Sequence, residues 1–143
     1  MIKPNAAEGG MLLFAFVTAI TLIIDGDMFS SRNGLDIYES YLELFGSEKN
    51  VVIASVVCII LYSTLLFING LLYRFAVNLY GFVYIACNAA TYFTNYPTMG
   101  LAWALFVIVM AAGNLFLIVS LSEEKRKLKE QKKVIEEYEK DIS

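Results

Sequence analysis

Few side chains in this chain have the type and spacing that catalysis or metal binding requires. There is no histidine, the commonest general base and metal ligand, and Cys58 and Cys87 have no partner at a metal-ligand spacing. Residues 25–27 (Asp-Gly-Asp) begin like a calcium loop, but Phe29 and Ser30 stand where that loop needs an oxygen ligand and a glycine. No phosphate-binding loop, nucleophile elbow or nucleic-acid signature occurs. The sequence therefore predicts a protein that is not an enzyme, has no catalytic residue, and needs no metal, cofactor or nucleic acid.

Polar side chains inside apolar stretches are the remaining candidates for a functional site. Most of them lie within one arc of a single helix that turns about 100° per residue. Lipid cannot satisfy their hydrogen bonds, so they must face protein or water. They either form hydrogen bonds between helices, each worth on the order of 1 kcal/mol, or line a polar pathway. We favour the first role because no buried carboxylate or lysine is expected beside them. The residues of this intramembrane polar face are Asn78, Tyr84, Asn88, Thr91 and Tyr92, with Asn114 on the following helix.

Four apolar stretches must position these side chains. Hydrophobic residues make up 58% of the chain and the mean hydropathy is +0.61, above the usual values for a soluble domain. A membrane-crossing helix needs about 20 residues, so the short first stretch must extend towards Ala6 or Met28. Arg74 is then close enough to the interface to snorkel, and Glu8 or Asp25 lies at an interface. The unpaired thiols of Cys58 and Cys87 are expected to have a packing role.

The predicted fold is an all-α integral membrane protein. It is a four-transmembrane-helix bundle with a short outer amphipathic helix and a C-terminal cytoplasmic helix. The membrane domain covers residues 1–121, with spans at about 6–25, 51–70, 73–93 and 100–121 and an outer loop at 26–50, and a charged tail covers 122–143.

The positions of Lys and Arg predict the orientation, because they accumulate on the cytoplasmic side. Lys3 precedes the first span and Arg74 follows the second, whereas the opposite side has only Arg32 and Lys49. With an even number of spans, both termini are expected in the cytoplasm of a multi-pass protein, which we place in the bacterial inner membrane. The tail contributes most, through Lys125, Arg126, Lys127, Lys129, Lys132, Lys133 and Lys140.

The outer loop contains one amphipathic segment. Leu35, Tyr38, Leu42 and Phe45 recur at helical spacing and predict a helix over 35–45. Residues 25–50 carry six acids against two bases, so the loop is anionic. The helix is expected to lie on the outer surface or to cap the bundle; a lid or receptor contact is the less favoured alternative.

The tail has an apolar stripe of its own. Leu128, Ile135 and Ile142 recur every seven residues and Tyr138 lies on a neighbouring position, although Gln131 interrupts the pattern. Gly113 is the last helix-breaking residue, so the fourth span is expected to continue into the tail as one rod. The tail is either a solvated helix that fixes topology or a coiled-coil element for self-assembly or partner docking, and the sequence favours neither.

Two functions fit these features. The first is a non-enzymatic membrane subunit that oligomerises in the bilayer, contacts lipid, and docks a cytoplasmic protein partner through the four tail residues Leu128, Ile135, Tyr138 and Ile142. The second is a pore-forming or membrane-permeabilising protein assembled around the polar face of the third span. The build resembles that of small phage membrane proteins, including holins, and of small membrane subunits of prokaryotic antiviral defence systems; this likeness covers architecture only.

The topology can be tested by cysteine labelling. Ser31→Cys is expected to react with a membrane-impermeant maleimide added to intact cells, and Ser143→Cys only after the cells are opened, because the basic flanks hold the termini inside. Both variants are made with Cys58 and Cys87 replaced by Ala. Labelling of Ser143→Cys from outside intact cells would overturn the predicted orientation.

Overall fold

The computed structural model describes residues 5–24, 36–93 and 99–142, with side chains for all of these except 36–40, 92–93, 99–101, 103–104 and 141. Within these ranges the chain is all-helical and contains no strand, which confirms the predicted helical class. The helices are α1 (Ala6–Ile24), α2 (Asp36–Phe45), α3 (Glu48–Thr64), α4 (Leu71–Phe93) and α5 (Met99–Ile142).

The short connection between α2 and α3 is built from two capping residues. The backbone N–H of Gly46 donates to the carbonyl of Leu42 at 2.7 Å, and Gly46 adopts a φ of +77°, a conformation that glycine takes without strain. Ser47 is the N-cap of α3, and its hydroxyl accepts a hydrogen bond from the backbone of Asn50 at 3.3 Å. The chain therefore reverses between the two helices within two residues.

Helix α3 ends earlier than the second apolar stretch does. The sequence places the end near Asn69, but the helix stops at Thr64, after 17 residues. Hydrogen bonds from Leu66 to the Ser63 carbonyl and from Phe67 to the Thr64 carbonyl tighten the chain into a turn. The Thr64 hydroxyl also shares a 2.6 Å hydrogen bond with the Tyr73 hydroxyl of α4, which joins the two helix ends.

The four long helices pack in a ring, in which each helix contacts two of the others. Helix α1 contacts α3 and α5, and α4 contacts α5 and α3. Small residues such as Ala15, Ala89 and Ala111 are buried where the helices approach closely. Helix α2 contacts α3 and α4, and Tyr41 of α2 is buried against Leu22 and Val51. Helix α2 thus covers the end of the bundle where α1 finishes and α3 begins.

Two helices have the length and composition to cross a membrane. Among the described residues they are α1 and an apolar stretch of α5 that lies within Leu105–Lys140. Helix α3 is short, and α4 carries Arg74, Asn78 and Asn88 among its apolar residues. Cys58 and Cys87, in α3 and α4, are both free thiols, which agrees with the sequence expectation.

Gly81 of α4 makes room for the Tyr62 ring of α3. A Cβ atom at this position would lie 2.8 Å from Cζ of the buried Tyr62 ring. We expect Gly81→Ala to destabilise the protein by about 1–3 kcal/mol, because the ring must shift within a packed interior. Thermal unfolding of the purified protein measures this effect.

Gly113→Ala is the matched control, since a Cβ there meets nothing within 4 Å. It also replaces a helical glycine by alanine and is expected to be neutral or slightly stabilising. Equal melting temperatures for the two variants would contradict the close contact at Gly81.

Candidate functional site

The interior of the bundle contains a buried ion pair. Glu8 of α1 and Arg74 of α4 are only 3% and 6% exposed. Nε of Arg74 donates to Oε1 of Glu8 at 2.6 Å, and Nη2 of Arg74 donates to Oε2. This two-bond geometry matches the planar guanidinium to the planar carboxylate and is the strongest form of such a pair.

Local structure at the start of α1 positions the carboxylate. The backbone N–H of Asn5 donates to Oε2 of Glu8 at 3.0 Å, and the backbone N–H of Glu8 donates to Oδ1 of Asn5, also at 3.0 Å. This reciprocal arrangement is a capping box, and it satisfies two N–H groups at the beginning of the helix. Glu8 therefore both caps the N-terminus of α1 and forms the ion pair with α4.

Three amides and one phenol surround the ion pair. Nδ2 of Asn78 donates to Oε1 of Glu8 at 3.1 Å, and Nδ2 of Asn114 donates to Oδ1 of Asn78 at 2.5 Å. Nδ2 of Asn5 donates to Oδ1 of Asn114, and the hydroxyl of Tyr62 donates to Oδ1 of Asn78 at 3.3 Å. We call Asn5, Glu8, Tyr62, Arg74, Asn78 and Asn114 the polar cluster; it connects α1, α3, α4 and α5.

The hydrogen bonds of the polar cluster determine what chemistry it can perform. Oε1 of Glu8 accepts from Arg74 and Asn78, and Oε2 accepts from Arg74 and the Asn5 backbone. Four bonds fill the acceptor capacity of a carboxylate. Glu8 is thus not free to act as a base or a metal ligand, and the described residues contain no group of three or more potential ligands for a metal ion.

The burial of this pair corrects two sequence expectations. The Arg74 side chain is buried against Glu8 and does not extend outwards, and a carboxylate does lie beside the polar side chains of α4. One signal in the sequence pointed to the pair: Glu8 and Arg74 have opposite charges and stand near the starts of two helices assigned to the same side of the membrane. Two isolated charges cost too much to bury, so pairing is the way both can leave water.

A second group of polar contacts lies near the other end of α4. The hydroxyl of Tyr41 in α2 donates to Oδ1 of Asn88 at 3.0 Å, and Nδ2 of Asn88 donates to the carbonyl of Tyr84 at 2.8 Å. Tyr84 and Ser55 of α3 share a hydrogen bond of 2.7 Å between their hydroxyls. The Thr91 hydroxyl donates to the carbonyl of Asn88 at 2.6 Å. These contacts hold α2 and α3 against α4.

The structure places the described site residues predicted from the sequence in four separate locations. Asn78 and Asn114 belong to the polar cluster, whereas Tyr84, Asn88 and Thr91 form the second group. Leu42 and Phe45 of α2 pack with Tyr41 against the bundle. The side chains of Leu35, Tyr38 and Tyr92 lie outside the described residues. The tail residues are far more exposed, at 52% for Leu128, 57% for Ile135, 67% for Tyr138 and 85% for Ile142.

Comparison with protein-family models, with curated proteins and with solved structures finds no match to this chain. Its function is therefore argued from its own residues.

The ion pair should be strongly coupled. Glu8→Gln and Arg74→Gln are each expected to destabilise the protein by about 3–5 kcal/mol, because each leaves its buried partner without a counter-charge. The double variant should lose less than the sum of the two. Denaturant unfolding of the purified protein gives the three values.

The exposed pair between Arg126 and Glu130, at 3.8 Å, is the matched control. The same Gln substitutions there are expected to change stability by less than about 1 kcal/mol. Additive losses in the Glu8 and Arg74 variants would show that the pair is not coupled in solution.

Proposed function

We propose that this chain is a four-span membrane protein with both termini in the cytoplasm. It acts as a non-enzymatic subunit that oligomerises in the bilayer and docks a cytoplasmic protein through the C-terminal part of α5. In this proposal α1, α3, α4 and the first half of α5 cross the membrane, and α2 caps the outer end. The bacterial inner membrane and a phage or antiviral-defence setting are proposed with it, from the likeness of build alone.

The distribution of polar and apolar side chains supports the four-span arrangement. Glu8, Arg74 and the amides of Asn78, Asn88 and Asn114 are buried, whereas large apolar side chains face outwards on every long helix. Soluble proteins rarely expose such continuous apolar surfaces, and lipid is the solvent that favours them. These outward residues include Leu13, Phe16, Ile23, Ile53, Ile60, Val83, Val109 and Phe116.

The burial of the α4 amides weighs against the pore alternative. A pore formed by several copies around α4 needs the polar face of α4 to be available at the surface of each copy. Asn78 and Asn88 are instead buried and hydrogen-bonded within one chain. These amides support contacts between helices, the role favoured from the sequence.

The exposed tail is the observation that carries the docking proposal. Helix α5 runs without interruption from Met99 to Ile142, and every described side chain from 122 onwards is exposed. Leu128, Ile135, Tyr138 and Ile142 form a stripe on this rod, which we call the tail stripe, and the described part of the chain leaves it uncovered. Topology requires only the basic residues, so a partner is the function that best explains the apolar ones.

The tail stripe can be tested by removing two of its three aliphatic side chains. Leu128→Ser with Ile135→Ser is expected to abolish co-purification of the cytoplasmic partner and to reduce oligomer size in detergent. Each buried side chain is worth on the order of 2 kcal/mol at a desolvated contact. Membrane insertion should persist, because the basic residues are retained. Affinity purification and light scattering report binding and size.

Lys133→Ser with Glu137→Ser is the control on the opposite face, and it leaves the net charge unchanged. It should keep both the partner and the oligomer. If the Leu128 and Ile135 double variant behaves like this control, the tail serves topology alone. Dye release from vesicles by the purified wild-type protein without a partner would then favour the pore alternative.

A further inference from the structure

An apolar groove lies between the start of α4 and the middle of α5. Leu71, Leu72 and Phe75 of α4 line one side, and Ile118, Val119 and the exposed Ser122 of α5 line the other. Its volume is about 300 Å³. In the four-span arrangement, on which this inference rests, the groove opens at the cytoplasmic edge of the bilayer.

Basic side chains continue the α5 face of this groove. Arg126 and Lys129 follow Ser122 by four and seven residues, so they are displaced from it by only about 40° and 20° around the helix. They lie about 6 and 10 Å farther along the axis, so Arg126 falls within a headgroup layer about 5–8 Å thick and Lys129 lies just beyond it. The apolar groove is therefore followed directly by two cationic side chains on the same face of α5.

We propose that this groove binds an anionic phospholipid of the cytoplasmic leaflet. One acyl chain occupies the groove between α4 and α5, and the headgroup phosphate lies between Arg126 and Lys129. The apolar lining matches the acyl chain, and the two cations match the negative headgroup. Charge complementarity selects an anionic lipid over a neutral one, since a zwitterionic headgroup gains less from two cations.

Neighbouring acids leave both cations available. Arg126 has Glu130 at 3.8 Å, but the side chains of this pair are 73% and 67% exposed, so water screens the contact. Glu123 at the rim of the groove is the nearest carboxylate on the lining. It is expected to weaken headgroup binding, and Glu123→Gln should therefore strengthen it.

Lipid selectivity of the full-length protein tests the site. The protein is reconstituted in vesicles of equal phosphatidylglycerol and phosphatidylcholine with identical acyl chains, extracted in mild detergent, and analysed for bound lipid by mass spectrometry. Wild type is expected to retain phosphatidylglycerol preferentially. Arg126→Gln with Lys129→Gln should reduce this preference by roughly fivefold per removed charge.

Two further variants separate this site from general surface attraction. Lys127→Gln with Lys132→Gln removes the same charge, but these residues are displaced from Ser122 by about 140° and 80°, so the preference should be kept. Ser122→Trp fills the mouth of the groove at an exposed position and should release the lipid although every cation remains.

The outcomes distinguish the site from the membrane proposal itself. Flotation of every variant with the vesicles is measured first, and failure of wild type to float overturns the four-span proposal together with the site. Proteins that float but show no preference for phosphatidylglycerol overturn the site alone. Equal losses in the two charge-removal variants also overturn it, since general attraction then explains the binding.

Discussion

The ion pair between Glu8 and Arg74 is the contact on which the arrangement of the helices depends. Both charges are removed from water, and each is worth burying only if the other is present with additional hydrogen bonds. Asn5 and Asn78 supply those bonds. Because the carboxylate belongs to α1 and the guanidinium to α4, the two helices are held in one register, and Asn114 extends the same constraint to α5.

The Glu8 carboxylate in this polar cluster is fully hydrogen-bonded, and this limits what the cluster can bind. A carboxylate whose four acceptor positions are occupied has no capacity left for a substrate or an ion. The same amides that suggested a pathway in the sequence are buried contacts within one chain. The accessible surfaces of the described residues include the apolar exterior, the groove near Phe75 and the exposed tail, which face lipid and cytoplasm in the proposed four-span arrangement.

Helix α5 joins the helical bundle to the exposed tail as one continuous helix. Its first half packs against α4 and α1, and its second half extends beyond the bundle without a break. No glycine or proline follows Gly113 in the chain, so the tail continues the helix axis. A partner bound to the tail stripe is therefore connected rigidly to the bundle, and a lipid headgroup between Arg126 and Lys129 would contact the rod at the point where it leaves the bilayer.

Composition and periodicity by themselves determined the helical class and the continuity of α5, because these follow from local propensity and spacing. The same signals revealed that α4 has a polar face, and only the tertiary structure decided what that face contacts. The end of α3 at Thr64 and the burial of Glu8 with Arg74 depend on contacts between helices distant in the sequence. Neither segment alone encodes this ion pair, because the two charges stabilise each other only when the helices are packed together.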